Sequence, residues 1–293
     1  MQASIITQLF LPLALAIIMF GMGLSLTPND FKRILIYPKA VAVGLCNQLI
    51  LLPLIAFGLI VLFGIGPEAA VGVMILAACP GGPTSNLISQ LAKGDTALSI
   101  TLTGFSSLIT VFTIPFVINF SLSYFMSGGE IQQLNVLGTV LTVLLITVIP
   151  VAIGMLVLRK RAAWAARLDK PFRKISTIFF ILIVLAAIFK EKENIVDYFM
   201  EAGPIALALN ICTLAVGYLS SRLLGLNKQQ GITISIESGI QNATLGITIA
   251  ATLLLNPAMT IPAVIYGLLM FGTAGVMIGW GNRQEPALAA SKS

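Results

Sequence analysis

Apolar stretches of about 20 residues or more recur from one end of the chain to the other, parted by short polar breaks. Nine segments stand out, at 5–27, 39–63, 68–91, 96–124, 131–158, 172–190, 201–224, 228–254 and 258–281. A helix needs about 20 predominantly apolar residues to cross the hydrocarbon core of a bilayer. The pattern therefore predicts an all-α polytopic membrane protein with about nine transmembrane helices, in a single transmembrane domain over 1–293. The first apolar run begins at Ile5 and continues for the length of a full span, so it reads as a transmembrane helix and not as a cleaved leader.

Two of the segments carry strong helix breakers. The third contains "ILAACPGGPTSNLISQLA" (75–92), in which Pro80, Gly81, Gly82 and Pro83 oppose a continuous helix. The eighth contains "ISIESGIQNATLG" (234–246), with Gly239 beside Glu237. Backbone freed at such breaks needs protein, water or ions as partners, because lipid supplies none. The breaks look related: Gly81 aligns with Gly239 at an offset of 158, where "SNL" (85–87) also meets "ATL" (243–245). Upstream, "GIGPEAAVGVM" (64–74) resembles "GLNKQQGITIS" (225–235) at an offset of 161. Equivalent segments running in opposite directions are the signature of an inverted repeat with a midplane binding site. The expected division is four spans plus five, a first repeat over about 5–124 and a second over about 131–281.

Composition agrees with the membrane reading. The 293 residues are 57% hydrophobic and 10% charged, against about 25% charged in soluble domains. The 17 basic residues sit in short connections, so the net charge of +6 points to topology and not to nucleic acid. With the N-terminus outside, 15 of the 17 fall on the cytoplasmic side and only Lys190 and Lys192 do not. The positive-inside rule then fixes N-out, C-in. The connection "RKRAAWAARLDKPFRK" (159–174) alone carries seven basic residues and reads as a loop that anchors this topology. Histidine is absent, which removes His-ligated metals and histidine-based catalysis. Cys46, Cys79 and Cys212 lie in apolar segments without metal-ligand spacing and read as small core residues.

Glu237 is the one acidic residue placed inside the membrane core, away from the segment ends. An ionised carboxylate there costs on the order of 2.5–3.5 kcal/mol, so it should face a cation or a wet cavity. Its neighbours Gln241 and Asn242 offer amide oxygens, and the break frees carbonyls. The first break adds Thr84, Ser85 and Asn86; the fourth segment adds Ser99 and Thr103, four apart on one helical face; the second adds Gln48. The donors are all oxygen, which suits a hard alkali or alkaline-earth ion, and one carboxylate among neutral oxygens favours a monovalent one. Against this stand plainer roles. A Ser or Thr in a membrane helix commonly bonds its own backbone, and Asn86 can simply cap the helix that follows the break.

The motifs "CPGGPTSN" (79–86), "ALSITLT" (97–103) and "ESGIQN" (237–242), with "GLCNQLILLP" (44–53) and "IMFGMGLSL" (18–26), resemble the bile acid:sodium symporter family in order along nearly the whole chain. The resemblance is to a nine-span form, since the chain starts where the second span of ten-span bacterial members starts. It implies a core domain built on two crossing broken helices with a panel domain beside it, sodium-coupled uptake of an organic anion by alternating access, and a multi-pass bacterial inner-membrane location. It implies two sodium ions and no organic cofactor: a first site of Ser85, Asn86, Ser99, Thr103 and Glu237, and a second of Gln48, Glu237 and Gln241 with the backbone carbonyls of Ser238 and Ile240. Substrate would meet Pro83, Thr84, Asn242 and Met270. Pro83, Met270 and Phe271 stand where some relatives carry polar residues, so bile acids and smaller carboxylates such as keto acids or pantoate are equally compatible. The rival reading is a proton-coupled carrier with Glu237 as the relay. An intramembrane enzyme lacks a second membrane acid and a histidine.

The orientation has a direct test. In a background freed of native cysteines, a cysteine at position 165 stays unlabelled by an impermeant reagent applied to intact cells. Labelling from outside reverses the topology.

Overall fold

The computed structural model describes residues 5–126, 133–190 and 195–283. Lys192 and Lys292, two of the topology-setting residues, lie outside them. Among the described residues there is no strand, only helices and one isolated antiparallel bridge. The helices are α1 (Ile5–Gly23), α2 (Pro28–Leu35), α3 (Pro38–Phe63), α4 (Pro67–Ala78), α5 (Pro83–Leu91) and α6 (Thr96–Phe125). They continue with α7 (Val136–Lys160), α8 (Ala162–Lys190), α9 (Ile195–Leu223), α10 (Lys228–Gly239), α11 (Ala243–Leu253) and α12 (Ala258–Arg283). Among the described residues, each of the nine expected segments is helical over most of its length. Five helices, α3, α6, α7, α9 and α12, are long and apolar enough to cross a membrane by themselves, and α1 with α2 makes a sixth candidate bent by 75°.

Local chemistry sets the boundaries. Proline opens α2, α3, α4 and α5, where its missing N–H is no loss. Asp95 and Asn135 accept from backbone N–H groups at the starts of α6 and α7, and Asn227 with Gln230 forms a capping box at α10. Gly64, at φ 61°, ends α3 in the left-handed conformation that glycine tolerates. Pro53 and Pro150 each follow a wide turn, Asn47–Leu51 in α3 and Leu144–Val148 in α7. There Leu52 N–H reaches Asn47 O and Ile149 N–H reaches Leu144 O, a one-residue bulge that absorbs a proline inside a helix.

The connection expected as a loop over 159–174 is helical. Only Arg161 separates α7 from α8, and α8 starts ten residues earlier than the segment at 172–190. Four alanines between 162 and 166 give it strong helix propensity, which the count of basic residues did not weigh. Ala165 is consequently buried, and exposed Ala163 is the better position for a labelling reporter.

The two broken segments are the pairs α4–α5 and α10–α11, and they cross at their breaks. Gly82 N–H donates to Ile240 O at 3.3 Å and Asn242 N–H to Pro80 O at 3.0 Å. This reciprocal exchange makes Gly81 and Gln241 bridge partners. The structural register is thus 160 residues, and Gly81 faces Gln241 instead of Gly239. Matching glycine to glycine misplaces the register because the backbone pairs the middle of each break. Helix ends repeat at almost the same interval, as in Pro67–Ala78 against Lys228–Gly239.

Helices α1, α7 and α8 pack on one another, while α3 to α6 and α9 to α12 surround the crossing, and α2 lies against α6. Gly23 of α1 and Gly154 of α7 allow backbone contact: a Cβ on Gly23 meets Val151 O at 2.2 Å and one on Gly154 meets Phe20 O at 2.4 Å. Small residues permit such approach in membrane packing. Gly154→Val is therefore expected to lower stability by about 1–3 kcal/mol or more. Thermal unfolding of the purified protein in detergent checks this, and an unchanged midpoint excludes the close α1–α7 approach.

Candidate functional site

Glu237 lies near the C-terminal end of α10, 4% exposed, and is the only charged residue buried among those described. Its Oε1 is 2.6 Å from Ser85 Oγ and 2.5 Å from Ser99 Oγ, and its Oε2 is 2.9 Å from Thr103 Oγ1. Asn86 Oδ1 sits 2.8 Å from Ser99 Oγ and 3.3 Å from Thr103 Oγ1. The five residues expected at a first cation site, from α5, α6 and α10, are therefore brought together. Asn86 faces α6 and does not cap α5. Thr103 also makes the plain bond to its own helix, Ser99 O at 3.0 Å.

Hydrogen counting shows what this cage prefers. The hydroxyls of Ser85, Ser99 and Thr103 have one hydrogen each. They face five acceptors: both Glu237 oxygens, Asn86 Oδ1, Gly82 O and Ser99 O. Oxygen lone pairs outnumber hydrogens, and a hard cation satisfies such a surplus. Among the described residues no group of His, Cys, Asp and Glu has the makings of a transition-metal site.

The residues expected at a second site split. Gln48, at the bulge of α3, donates from Nε2 to Gln241 Oε1 at 2.7 Å and to Cys79 O at 3.0 Å. Gln241 Nε2 reaches Ser238 O at 2.9 Å and Gln48 Oε1 at 3.3 Å. Gln48, Gln241 and Ser238 are thus in one cluster. The Ile240 carbonyl is instead engaged by Gly82 N–H across the crossing, and the Ser238 hydroxyl bonds Ile234 O.

Sequence reasoning missed Asn210 and Tyr266. Asn210 Nδ2 donates to Gly239 O at 2.7 Å and to Tyr266 Oη at 3.2 Å, and Tyr266 donates to the same carbonyl at 2.9 Å. Asn210 is a lone amide in the apolar α9, which was the available signal.

Beside the crossing is a cavity of about 260 Å³. Pro83, Thr84, Asn242 and Met270, the expected substrate contacts, all line it, with Ile18 and Met22 from α1 and Phe180 from α8 opposite. Among the described residues no charged side chain lines it. Asn242 Oδ1 caps α11 through Leu245 N–H at 3.1 Å.

Helices long enough to cross a membrane, a crossing of broken helices and a buried polar site beside a cavity are the architecture of a membrane transporter. Its relatives agree. The family described as Sodium Bile acid symporter family matches residues 12–198, more than half of the chain, and the chain belongs to that family. The Bacillus subtilis "uncharacterized sodium-dependent transporter YocS" is 30% identical over 289 residues, covering 97% of this chain and 87% of the relative. The human ileal sodium/bile acid cotransporter is 31% identical over 288 residues, covering 94% and 80%. A rice protein named as a probable chloroplastic sodium/metabolite cotransporter is 26% identical over 286 residues, covering 96% and 66%.

A Cβ on Gly81 would lie 2.7 Å from Glu237 Oε2. Gly81→Ala is expected to push the carboxylate off Thr103 and destabilise the protein by about 1.5–3 kcal/mol, the scale of a hydrogen bond to a charged group. Melting of the purified variant checks it; a wild-type midpoint means the carboxylate is not held as described.

Proposed function

We propose that the protein is a sodium-coupled secondary active symporter that imports an organic anion by alternating access. The observation that carries this reading is the donor-poor oxygen cage around the one buried carboxylate, set against the uncharged cavity at the helix crossing. Sodium-dependent relatives support the coupling ion.

In this reading Ser85, Asn86, Ser99, Thr103 and Glu237 hold one sodium ion. Gln48, Gln241, Glu237 and the carbonyls of Ser238 and Ile240 hold a second, which requires the Gln48–Gln241 amides to part and turn their oxygens inward. Two cations beside one carboxylate leave a net positive charge. With no Lys or Arg at the cavity, that charge and the N-termini of α5 and α11 attract the anion. Pro83, Thr84, Asn242 and Met270 contact it. Sodium thus enters the substrate site as its electrostatic half, which couples the two fluxes.

The nine helical segments form two inverted repeats in this proposal, with α1, α7 and α8 as a panel and the remaining helices as the core. The N-terminus lies outside a bacterial inner membrane and the C-terminus in the cytoplasm. The substrate is a bile acid or a smaller carboxylate such as a keto acid or pantoate.

Glu237→Gln keeps the shape and removes the formal counter-charge. A unit charge 4 Å from a cation contributes about 4 kcal/mol at an effective dielectric of 20, about three decades in affinity, so sodium affinity should fall ~1,000-fold and sodium-driven uptake drop to near background. Sodium titration of the folded variant, and uptake into proteoliposomes under separate sodium and proton gradients, decide the matter. Uptake driven by protons alone in the wild type establishes the proton-coupled rival. Wild-type sodium affinity in Glu237→Gln rejects the shared-ligand arrangement.

A further inference from the structure

The 160-residue interval of the crossing makes Cys79 the counterpart of Gly239: Gly239 ends the first half of its broken helix, and Cys79 directly follows Ala78, the end of the other. Carbonyls at such ends lose their helical partner. Cys79 O is taken by the side-chain amide of Gln48, from α3. Gly239 O is taken by the side-chain amide of Asn210, from α9, and by the Tyr266 hydroxyl. Helices α3 and α9 each precede their broken pair, and their ends, Phe63 and Leu223, stand at the same 160-residue interval. The same device therefore occurs twice, an amide on the preceding helix clamping the terminal carbonyl of the half-helix. One copy falls in the proposed sodium machinery, and no role attaches to the other.

We propose that Asn210 and Tyr266 are positioning residues for sodium binding, the second-repeat counterpart of Gln48, fixing the Gly239 carbonyl and through it the geometry of Glu237 and Gln241. Gly239 lies between those two residues, so a peptide that turns there re-aims both. The clamp is dry: Asn210 and Tyr266 are each 0% exposed, and Leu214 packs where a Cβ of Gly239 would lie. Asn210 Oδ1 has no hydrogen-bond partner among the described residues. An amide kept in an apolar helix with its acceptor unmet is a costly helix cap, and its donor is the part the fold uses. Neither residue touches the proposed ions; they act through the backbone of α10.

The inference rests on the sodium reading, and one titration separates the two. Thermal stability of purified protein is followed against sodium chloride, with choline chloride holding ionic strength constant. The variants are Tyr266→Phe, which removes one hydroxyl, Asn210→Leu, which removes the donor, and Asn210→Gln, which keeps an amide. In Tyr266→Phe and Asn210→Leu the half-saturating sodium concentration is expected to rise ~5-fold, the effect of about one neutral hydrogen bond, with Asn210→Gln nearer the wild type. A purely structural cap lowers the melting point without sodium and leaves half-saturation unmoved; that result overturns the proposal. Should Asn210→Leu fail to fold, Tyr266→Phe alone decides. A wild type that does not respond to sodium overturns the coupling reading, whereas a responding wild type with indifferent variants overturns only this inference.

Discussion

A backbone that leaves its helix in hydrocarbon finds no partner in the lipid, and the two breaks at 79–82 and 240–242 answer that constraint by satisfying each other. Gly82 N–H to Ile240 O and Asn242 N–H to Pro80 O are the minimum exchange that joins two interrupted helices at one point. Gly81 is needed because Glu237 comes too close for a side chain in this place. Side-chain amides from α3 and α9 close the carbonyls that the crossing leaves over. The polar centre of the molecule is in this sense one hydrogen-bonded unit drawn from helices far apart in the sequence.

That unit fixes where chemistry can occur. Placing Glu237 one turn or less from a break sets a carboxylate beside helix ends, and α6 brings Ser99 and Thr103 to it from another element. The resulting cage has more lone pairs than hydrogens, which makes it receptive to a hard cation without any high density of formal charge. In the proposed mechanism the same scarcity of charge lets the adjoining cavity accept an anion only when cations are present. Under the proposed mechanism, coupling follows from this electrostatic incompleteness.

Packing divides along the same line. Helices α1 and α7 meet backbone to backbone at Gly23 and Gly154, and α1 with α8 forms a wall of the cavity beside the crossing. Helix α2 turns away from α1 by 75° and lies against α6, through Phe31 on Phe105 and Thr101 on the Asp30 carbonyl. The residues 24–27 between α1 and α2 thus link the wall to the helices around the crossing. Glu201, on α9, reaches the Gly66 N–H at the turn before α4, tying helices of the two halves at the opposite end.

The sequence by itself determined the helical membrane class, the two breaks and the place of Glu237 as an acid within an apolar stretch. Each follows from local rules: apolar length, the incompatibility of Pro and Gly with helix, and the cost of a charge in hydrocarbon. It also singled out Ser85, Asn86, Ser99 and Thr103, because oxygen-bearing residues stand out in so apolar a chain. Tertiary structure decided the rest. The register of the crossing depends on which peptides exchange bonds, and Gly81 pairs with Gln241 for that reason, not with the glycine it resembles. The helical course of 159–174 reflects alanine propensity and packing at Ala165 that a charge count does not contain. The roles proposed for Asn210 and Tyr266 could not be assigned along the chain, since a lone amide and a lone phenol acquire meaning only when folding sets both against the carbonyl of Gly239.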